Sequence, residues 1–249
     1  MIDAFVTHSI RDGIGTLIFG HPAGNSLPSS LLNQINEGLQ ALQQDDAVRV
    51  IVIESEGKKA FCGGASLAEL KTLKTLEDAT SFFMGFATVI NTLRQIDKFV
   101  VIRVQGKAVG GAIGLIAAAD YAIANEEASI KLSELSIGIG PYVIEPAVSR
   151  KIGKTAFGQL SLAAHDWKSA HWAYQKGLYA EVYPSTLALD NAVQSFAQRL
   201  SQYAPDAMKQ LKKLHWKDTN HWDTLLPENA KITGQLAISP FTKTVLNTL

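Results

Sequence analysis

The first half of the chain alternates strand-like apolar runs with helix-like patterns. Three runs rich in β-branched residues are typical of strands: IGTLIFGHP (14–22), VRVIVIES (48–55) and FVVIRVQG (99–106). Residues 31–42 and 76–96 carry apolar residues at three- and four-residue spacing, which is typical of helices. Strands that alternate with helices are joined by crossover connections, and these favour a largely parallel sheet. The pattern therefore predicts an α/β fold.

The chain beyond about residue 154 is predicted to be almost entirely helical. Helical patterns cover TLALDNAVQSFAQRLSQYA (186–204) and PDAMKQLKKLHW (205–216), and the second has Pro205 at a first-turn position. No Pro-, Gly- or Ser-rich linker separates this part from the rest of the sequence. We therefore expect the helical tail to pack on the body of the protein or on a neighbouring subunit.

Composition limits the classes of function. With 249 residues, 47% of them hydrophobic and 18% charged, the chain can bury a large core. Basic and acidic residues balance at 23 each, so no net field attracts nucleic acid or an anionic membrane. Cys62 is the single cysteine, which excludes an intrachain disulfide and fits a reducing compartment. Because no apolar stretch approaches the ~20 residues of a membrane helix, we expect a soluble cytoplasmic protein that binds neither nucleic acid nor membrane.

Two glycine-rich segments, GKKAFCGGAS (57–66) and VQGKAVGGAIG (104–114), connect a predicted strand to a predicted helix. Helix N-termini leave backbone N–H groups unpaired, and glycine lets a ligand approach them without a Cβ in the way. The exposed donors here would be the N–H groups of Ala65 and Gly111, and two such donors can converge on one developing oxyanion. A pair of tight turns that need glycine for backbone reasons alone explains the same pattern.

A dinucleotide site is a third interpretation of the same glycines. Its fingerprint is G-x-G-x-x-G, followed about 20 residues later by an acidic residue. Glu126 and Glu127 lie at a tolerable distance, but GKAVGGAIG (106–114) has no G-x-G core. The missing element is the one that binds the pyrophosphate, so the sequence disfavours this site.

Three segments, in this order and spacing, resemble the enoyl-CoA hydratase/isomerase (crotonase) family: KAFCGGASLAEL (59–70), VQGKAVGGAIGLIAAAD (104–120) and LSELSIGIGP (132–141). The turn HPAGNSL (21–27) is similar to an early P-x-x-x-N-x-L turn of that family. The similarity extends from about residue 10 to residue 200 and is weaker beyond.

The resemblance implies a crotonase-like spiral of repeated ββα units. It divides the chain into a core domain, residues 1–195, and a helical C-terminal oligomerisation region, residues 196–249. Members of the family form trimers or pairs of trimers, so a homotrimer or a dimer of trimers is expected.

The shared chemistry of the family implies a role for the two glycine-rich segments. Two backbone N–H groups stabilise the enolate of an acyl-CoA thioester, and matched by position they fall on Ala65 and Gly111, beside Gly64 and Gly110. Coenzyme A is then part of the substrate, and no separate cofactor and no catalytic metal are expected.

Contacts to the substrate are implied at five further residues, which the resemblance places outside the two glycine pairs. They are Lys58 and Lys59 for the phosphates, Phe241 and Lys243 near the adenine, and Tyr142 after the segment IGIGP. The alternative for the two lysines before the first glycine segment is a solubilising role at the surface.

The resemblance leaves the reaction open between isomerisation and hydration. Hydratases of the family carry two glutamates, and the matching positions here are Gly114 and Glu134. Hydration asks for a group that activates water and another that protonates the α-carbon, whereas one base suffices to move a double bond from the 3- to the 2-position. Isomerisation of a 3-enoyl-CoA is therefore slightly favoured, with hydration of a 2-enoyl-CoA and a catalytically silent acyl-CoA-binding protein as alternatives. A dehalogenase-like activity would need a carboxylate where this chain has Pro141 and Tyr142.

Two glutamates compete for the role of acid or base. By itself, Glu134 near a predicted strand end is typical of a solvated or ion-paired carboxylate. The resemblance assigns it as the base, with a pKa raised by an apolar acyl pocket. Glu145 lies within reach as a second acid, but its place beside Pro146 favours the start of a helix.

The remaining residues of interest favour structural roles. Cys62 is expected to be a small buried apolar filler rather than a nucleophile, because no histidine lies beside it in sequence. The His–Trp pairs at 165–167, 171–172, 215–216 and 221–222 match no zinc spacing, which favours packing or interface roles. The segment SFFMGFATVI (81–90) suits either the core or the lining of an acyl pocket, and the core is favoured.

Overall fold

The computed structural model describes residues 3–248. Within them the strands are β1 (Phe5–Arg11), β2 (Ile14–Gly20), β3 (Val50–Ser55), β4 (Ala60–Cys62), β5 (Phe99–Val104), β6 (Lys107–Val109), β7 (Tyr121–Asn125), β8 (Ile130–Lys131) and β9 (Glu181–Tyr183). The helices are α1 (Ser29–Gln44), α2 (Leu67–Thr72), α3 (Leu76–Gln95), α4 (Gly111–Ala118), α5 (Glu145–Leu162), α6 (Ala170–Gln175), α7 (Thr186–Ser201), α8 (Pro205–Trp216), α9 (Trp222–Ala237) and α10 (Pro240–Thr248).

The strands of the described part form two sheets. The larger has six strands in the order β1-β2-β3-β5-β7-β9, and the smaller has three in the order β4-β6-β8. The pair β1–β2 is antiparallel, whereas every other pair in both sheets is parallel. The prediction of a largely parallel α/β sheet is therefore confirmed.

A repeated unit generates both sheets at once. In each repeat the chain adds one strand to the large sheet, then one to the small sheet, and then turns into a helix: β3–β4–α2, β5–β6–α4, and β7–β8 followed by a 3₁₀ turn at Glu134–Ile137. This is the crotonase-like spiral of ββα units that the resemblance implies, and it is confirmed. Because the small sheet is parallel, the carboxyl ends of β4, β6 and β8 lie at one edge.

Six strands were not predicted from sequence patterns: β1, β7 and the short strands β4, β6, β8 and β9. We expected residues 57–66 to be a loop, but Ala60–Cys62 pairs in parallel with β6, which in turn pairs with β8. Strands of two or three residues are too short to show a periodicity, and long-range pairing decides where they form.

The C-terminal helices pack on the body of the same chain, one of the two arrangements expected from the sequence. Trp222, Leu226 and Ala230 of α9 are buried in the cluster that also contains the interior side chains of β3 and α3. The boundary expected between residues 195 and 196 falls inside α7, which runs across it without a break. An oligomerisation role of residues 196–249 stays a prediction. None of the helices in residues 3–248 combines the length and hydrophobicity needed to cross a membrane.

A buried ion pair fastens α8 to the spiral. Asp120, between α4 and β7, accepts hydrogen bonds from the Val100 N–H at 2.8 Å, the Lys212 Nζ at 2.5 Å and the Trp216 Nε1 at 3.0 Å. The side chains of Asp120 and Lys212 are only 6% and 2% exposed. Lys212 is the cation that contacts the Asp120 carboxylate, and the Lys151 ammonium, which donates to the Asp120 carbonyl at 3.1 Å, is a second positive charge nearby.

Replacing Lys212 by methionine is expected to lower the free energy of unfolding by about 3–5 kcal/mol, because the Asp120 carboxylate then stays buried without its cation. Chemical denaturation of the Lys212→Met variant measures the loss. The exposed neighbour Lys213, changed in the same way, is the control, with an expected effect within about 0.5 kcal/mol. Equal effects of the two substitutions would refute the account of α8 docking.

Candidate active site

An apolar cavity of about 150 Å³ opens at the carboxyl edge of the small sheet. Its floor is formed by the loops that follow β4 and β6, through Gly63, Gly64, Ala65, Gly110 and Gly111. Side chains from α2, α3, α9 and the segment 133–144 form the walls: Leu67, Leu70, Phe83, Phe86, Ser133, Glu134, Ile137, Ile139, Pro141, Val143, Ile144 and Thr233. Among these described residues, Glu134 is the only one with an ionisable side chain.

The turn at residues 21–27 holds the loop around Ala65 in place. The Gly63 N–H donates to the Gly24 carbonyl at 2.9 Å, the Leu27 N–H donates to the Gly64 carbonyl at 2.7 Å, and the Ser66 N–H donates to the Leu27 carbonyl at 3.2 Å. These bonds fix the backbone on both sides of Ala65. Within residues 3–248, the Ala65 N–H donates no hydrogen bond, so it is available at the cavity.

Asn25 stabilises this turn from the inside, a role that sequence reasoning missed. Its backbone has φ of 57°, and its buried side chain donates to the carbonyls of Glu56 at 2.7 Å and Ala60 at 3.1 Å. Asparagine tolerates this left-handed conformation better than most residues. The signal in the sequence is the segment HPAGNSL (21–27), which has one residue fewer between its proline and asparagine than the P-x-x-x-N-x-L turn it resembles, and which by itself assigns Asn25 no contact.

The second donor loop begins helix α4 and touches the first. Gly111 is the first residue of α4, so its N–H has no acceptor within the helix. Gly64 has φ of +81°, and a Cβ built there would lie 2.5 Å from the Val109 carbonyl oxygen and 3.6 Å from the Gly111 nitrogen. Only glycine fits such a contact. The two loops that carry Ala65 and Gly111 are thus in direct contact at the floor of the cavity.

The Glu134 side chain lies over the same loops. Glu134 starts the 3₁₀ turn after β8, and a Cβ built on Gly110 would lie 2.9 Å from its Oε1. Its Oε2 is buried and accepts no hydrogen bond from residues 3–248. Because burial penalises the charged form, the pKa of Glu134 is raised to about 7. A carboxylate of this kind can take up and release a proton near neutral pH.

At the position that matches the second glutamate of the hydratases, another side chain of the protein fills the space that a carboxylate would need. Gly114 lies in α4, and a Cβ there would overlap the Ile144 side chain, which lines the cavity. Glu145 is the first residue of α5, as expected of a helix start, and lies outside the cavity lining. The site therefore brings together the two N–H donors and one carboxylate.

Similarity to known proteins identifies the family of this chain. The family model described as enoyl-CoA hydratase/isomerase matches residues 9–243. The chain belongs to the enoyl-CoA hydratase/isomerase family. It is 29% identical over 191 residues to the short-chain-enoyl-CoA hydratase of Clostridium acetobutylicum, a match that covers 76% of this chain and 72% of that protein. It is 31% identical over 183 residues to the mitochondrial enoyl-CoA hydratase of Pongo abelii, covering 73% of this chain and 61% of that protein.

The fold is also shared with solved structures. The crystal structure of enoyl-CoA hydratase from Bacillus halodurans superposes with a TM-score of 0.91 over 98% of this chain and 99% of that chain, at 20% identity. The family predicted from the glycine-rich segments is thus confirmed, over more of the chain than the quoted segments cover.

The lysines that the resemblance to the enoyl-CoA hydratase/isomerase family assigns to the phosphates lie outside the cavity. Lys58 and Lys59 are exposed and line a shallow surface groove together with His21 and Gly57. The groove follows the same turn that holds the Ala65 loop. Phosphate binding by the two lysines stays a prediction.

The other three expected substrate contacts, Tyr142, Phe241 and Lys243, lie outside the cavity lining. Tyr142 is 40% exposed beside Gly140, and Phe241 is 65% exposed beside Gly138. The Lys243 ammonium donates to the carbonyls of Leu70, Lys71 and Leu73 at the end of α2. Lys243 thereby fastens α10 to α2, a structural contact that sequence reasoning did not foresee.

Cys62, Trp216 and Trp222 occupy structural positions, whereas the pair at 165–167 is exposed at the surface. The Cys62 thiol is buried, accepts a hydrogen bond from the Gly64 N–H at 3.3 Å, and has a pKa raised to about 12 by burial. It stays protonated at neutral pH, as expected of a buried filler. Trp216 and Trp222 pack edge to face in the interior. No three His, Cys, Asp or Glu side chains within residues 3–248 are grouped as a metal site would require.

Thr233 is the cavity residue that the sequence analysis missed altogether. It lies on α9, almost 100 residues after Glu134, and it is 2% exposed. No short motif marks it, because its place in the wall depends on how α9 packs against α3.

The raised pKa of Glu134 predicts a pH-dependent cost to stability. The folded state holds the proton up to about pH 7, whereas the unfolded chain loses it near 4.5. Between these values the folded state binds more protons, so the free energy of unfolding falls as the pH rises and the loss is complete above about pH 7. The Glu134→Gln variant has no carboxyl proton to lose, so it lacks this pH dependence. As the pH is raised from 4 to 8, the free energy of unfolding of the variant minus that of the wild type is expected to increase by about 1–3 kcal/mol.

Denaturation curves of both proteins across this pH range measure the difference. The exposed Glu126, changed to glutamine, is the matched control and should track the wild type. A constant offset between wild type and Glu134→Gln would mean that the carboxylate is not held in its neutral form.

Proposed function

We propose that this protein isomerises a 3-enoyl-CoA to the 2-enoyl-CoA. The observation that carries the proposal is the single carboxylate, Glu134, in an apolar cavity that two free backbone donors also reach. The family acts on acyl-CoA thioesters, and proton transfer within one substrate asks for one base.

The backbone N–H groups of Ala65 and Gly111 bind the thioester oxygen. They lie at two adjacent loops whose positions are fixed by hydrogen bonds and by glycine contacts. Donors that are held in place before the reaction stabilise the negative charge that develops on that oxygen without reorganising. The thioester sulfur stays bonded to the acyl group throughout, and the pantetheine arm of coenzyme A extends from it out of the cavity, towards the exposed Lys58 and Lys59.

Glu134 moves the proton. Its carboxylate removes a proton from the α-carbon, and the electron pair of that C–H bond forms the dienolate whose oxygen the two N–H groups hold. The protonated Glu134 then gives the same proton to the γ-carbon, the double bond settles between the α- and β-carbons, and the carbonyl is restored. A pKa of about 7 suits both steps, since neither protonation state of Glu134 is strongly favoured near neutral pH.

Hydration of a 2-enoyl-CoA is the alternative, because the relatives at 29% and 31% identity bear hydratase names. It would need a second group to handle the water. Ile144 fills the space beside Gly114 where a second carboxylate would stand. This packing supports isomerisation over hydration.

The proposal is tested by following the conjugated thioester absorbance with two substrates. Starting from 3-hexenoyl-CoA, the absorbance is expected to rise, and the Glu134→Gln variant should lose about 100- to 10,000-fold in rate. Starting from 2-hexenoyl-CoA in ¹⁸O-labelled water, little label should enter the product. Rapid label uptake without isomerisation would establish the hydratase, and binding without either reaction would establish a silent acyl-CoA-binding protein.

A second prediction concerns the contact between the two donor loops. The Gly64→Ala variant should lose about 100- to 1,000-fold in kcat, because its Cβ displaces the Val109 carbonyl and with it one oxyanion donor. Affinity for free coenzyme A, measured by calorimetry, should change little. Gly153→Ala is the control: Gly153 also has a positive φ, at 80°, but it has open space around its Cβ and lies outside the cavity lining. Equal losses of rate in both variants would mean that backbone strain, rather than the donor geometry, controls the reaction.

A further inference from the structure

The wall contributed by α9 has no role in the proton transfer proposed above. Thr233 faces the cavity, and its hydroxyl donates to the Asn229 carbonyl one turn earlier on the same helix, at 2.8 Å. This bond and its burial hold the side chain in one orientation. What Thr233 presents to a substrate is therefore mainly its volume.

Helix α3 contacts both this wall and one of the two oxyanion donors. At one point of α3 the Phe86 ring packs against Gly111, the second donor. At another, Thr80 packs against Gly234, where a Cβ would lie 2.9 Å from the Thr80 nitrogen. The two points are six residues apart, or about 9 Å along the helix axis. Phe83 lies between them and lines the cavity.

An acyl chain attached to a thioester at Ala65 and Gly111 can thus run along α3 until it meets α9. Apolar side chains surround this path, including Leu70, Ile139 and Ile144. The cavity measures about 150 Å³. An apolar cavity of about that size holds a molecule such as benzene, with about six carbons.

We propose that Thr233 sets the length of the acyl chain, and that the substrate carries an uncharged, apolar acyl group of about four to six carbons. This inference rests on the proposed function only in placing the thioester oxygen between the two N–H donors. The absence of charge follows from the apolar walls, since a charged chain end would be buried there without a partner.

Calorimetric binding of saturated acyl-CoAs tests the proposal without any turnover. From butyryl-CoA to hexanoyl-CoA the affinity should rise about tenfold, because two more methylenes are buried. From hexanoyl-CoA to decanoyl-CoA it should not rise further. Adipyl-CoA, whose six-carbon chain ends in a carboxylate, should bind at least about tenfold more weakly than hexanoyl-CoA.

Substitutions at position 233 should move the optimum in opposite directions. Thr233→Ala removes two heavy atoms and should make octanoyl-CoA the best ligand, whereas Thr233→Leu should weaken hexanoyl-CoA about tenfold and leave butyryl-CoA unchanged. Thr233→Val keeps the volume and loses the hydroxyl, so it should keep the wild-type profile. Thr224→Ala is the matched control on α9, because that exposed hydroxyl likewise donates to a carbonyl of its own helix turn.

Thermal unfolding shows which variants are folded. If Thr233→Leu does not fold, the chain-length profiles of Thr233→Ala and Thr233→Val decide the test. The proposal is overturned by an affinity that keeps rising to decanoyl-CoA in the wild type, by equal binding of adipyl-CoA and hexanoyl-CoA, or by one chain-length optimum in all position-233 variants. A protein that binds hexanoyl-CoA best but isomerises nothing would refute the proposed reaction and support this inference. A protein that isomerises 3-decenoyl-CoA as fast as 3-hexenoyl-CoA would support the proposed reaction and refute this inference.

Discussion

Parallel pairing of three very short strands is the constraint on which the site depends. Because β4, β6 and β8 run side by side in the same direction, their carboxyl ends deliver the Ala65 loop, the Gly111 helix start and Glu134 to one edge. None of the three strands has enough residues to be stable alone. They are held by the large sheet, to which the chain returns after each of them.

The chemistry of the site follows from what this edge leaves unpaired. Two backbone N–H groups lack acceptors, and one buried carboxylate oxygen lacks a donor, within the described part of the chain. Unpaired buried polar groups are costly, so their concentration at one place points to function. The protein compensates for the cost elsewhere, through the apolar core that α9 shares with α3.

Local sequence was sufficient for the elements whose signal is local. Helices α1 and α3 and strands β3 and β5 show their periodicity directly. The glycines of the donor loops mark backbone in close contact, as at Gly64 beside the Val109 carbonyl. The glycine-rich segments by themselves indicate N–H donors at Ala65 and Gly111, with tight turns as the alternative. The resemblance matches these two positions and assigns the role of base to Glu134. The sequence shows that Gly114 stands where the hydratases carry a glutamate. Only the structure shows that the Ile144 side chain fills the space beside it.

The contacts that sequence reasoning missed are all long-range. Asn25 acts on carbonyls about 30 residues later, Lys243 binds the end of α2, and Thr233 reaches the cavity only through the packing of α9 on α3. Each is an ordinary polar residue in its own segment, with no spacing to single it out. Such contacts depend on tertiary packing, which periodicity and motifs do not encode.

The central claim is that the N–H groups of Ala65 and Gly111 hold the oxygen of a bound thioester. Infrared spectroscopy of hexanoyl-CoA labelled with ¹³C at the thioester carbonyl measures this directly, because hydrogen bonds to that oxygen weaken the C=O bond. The account predicts that the labelled carbonyl stretch moves to lower frequency on binding. A bound thioester whose carbonyl absorbs at the same frequency as in water, or higher, would contradict it.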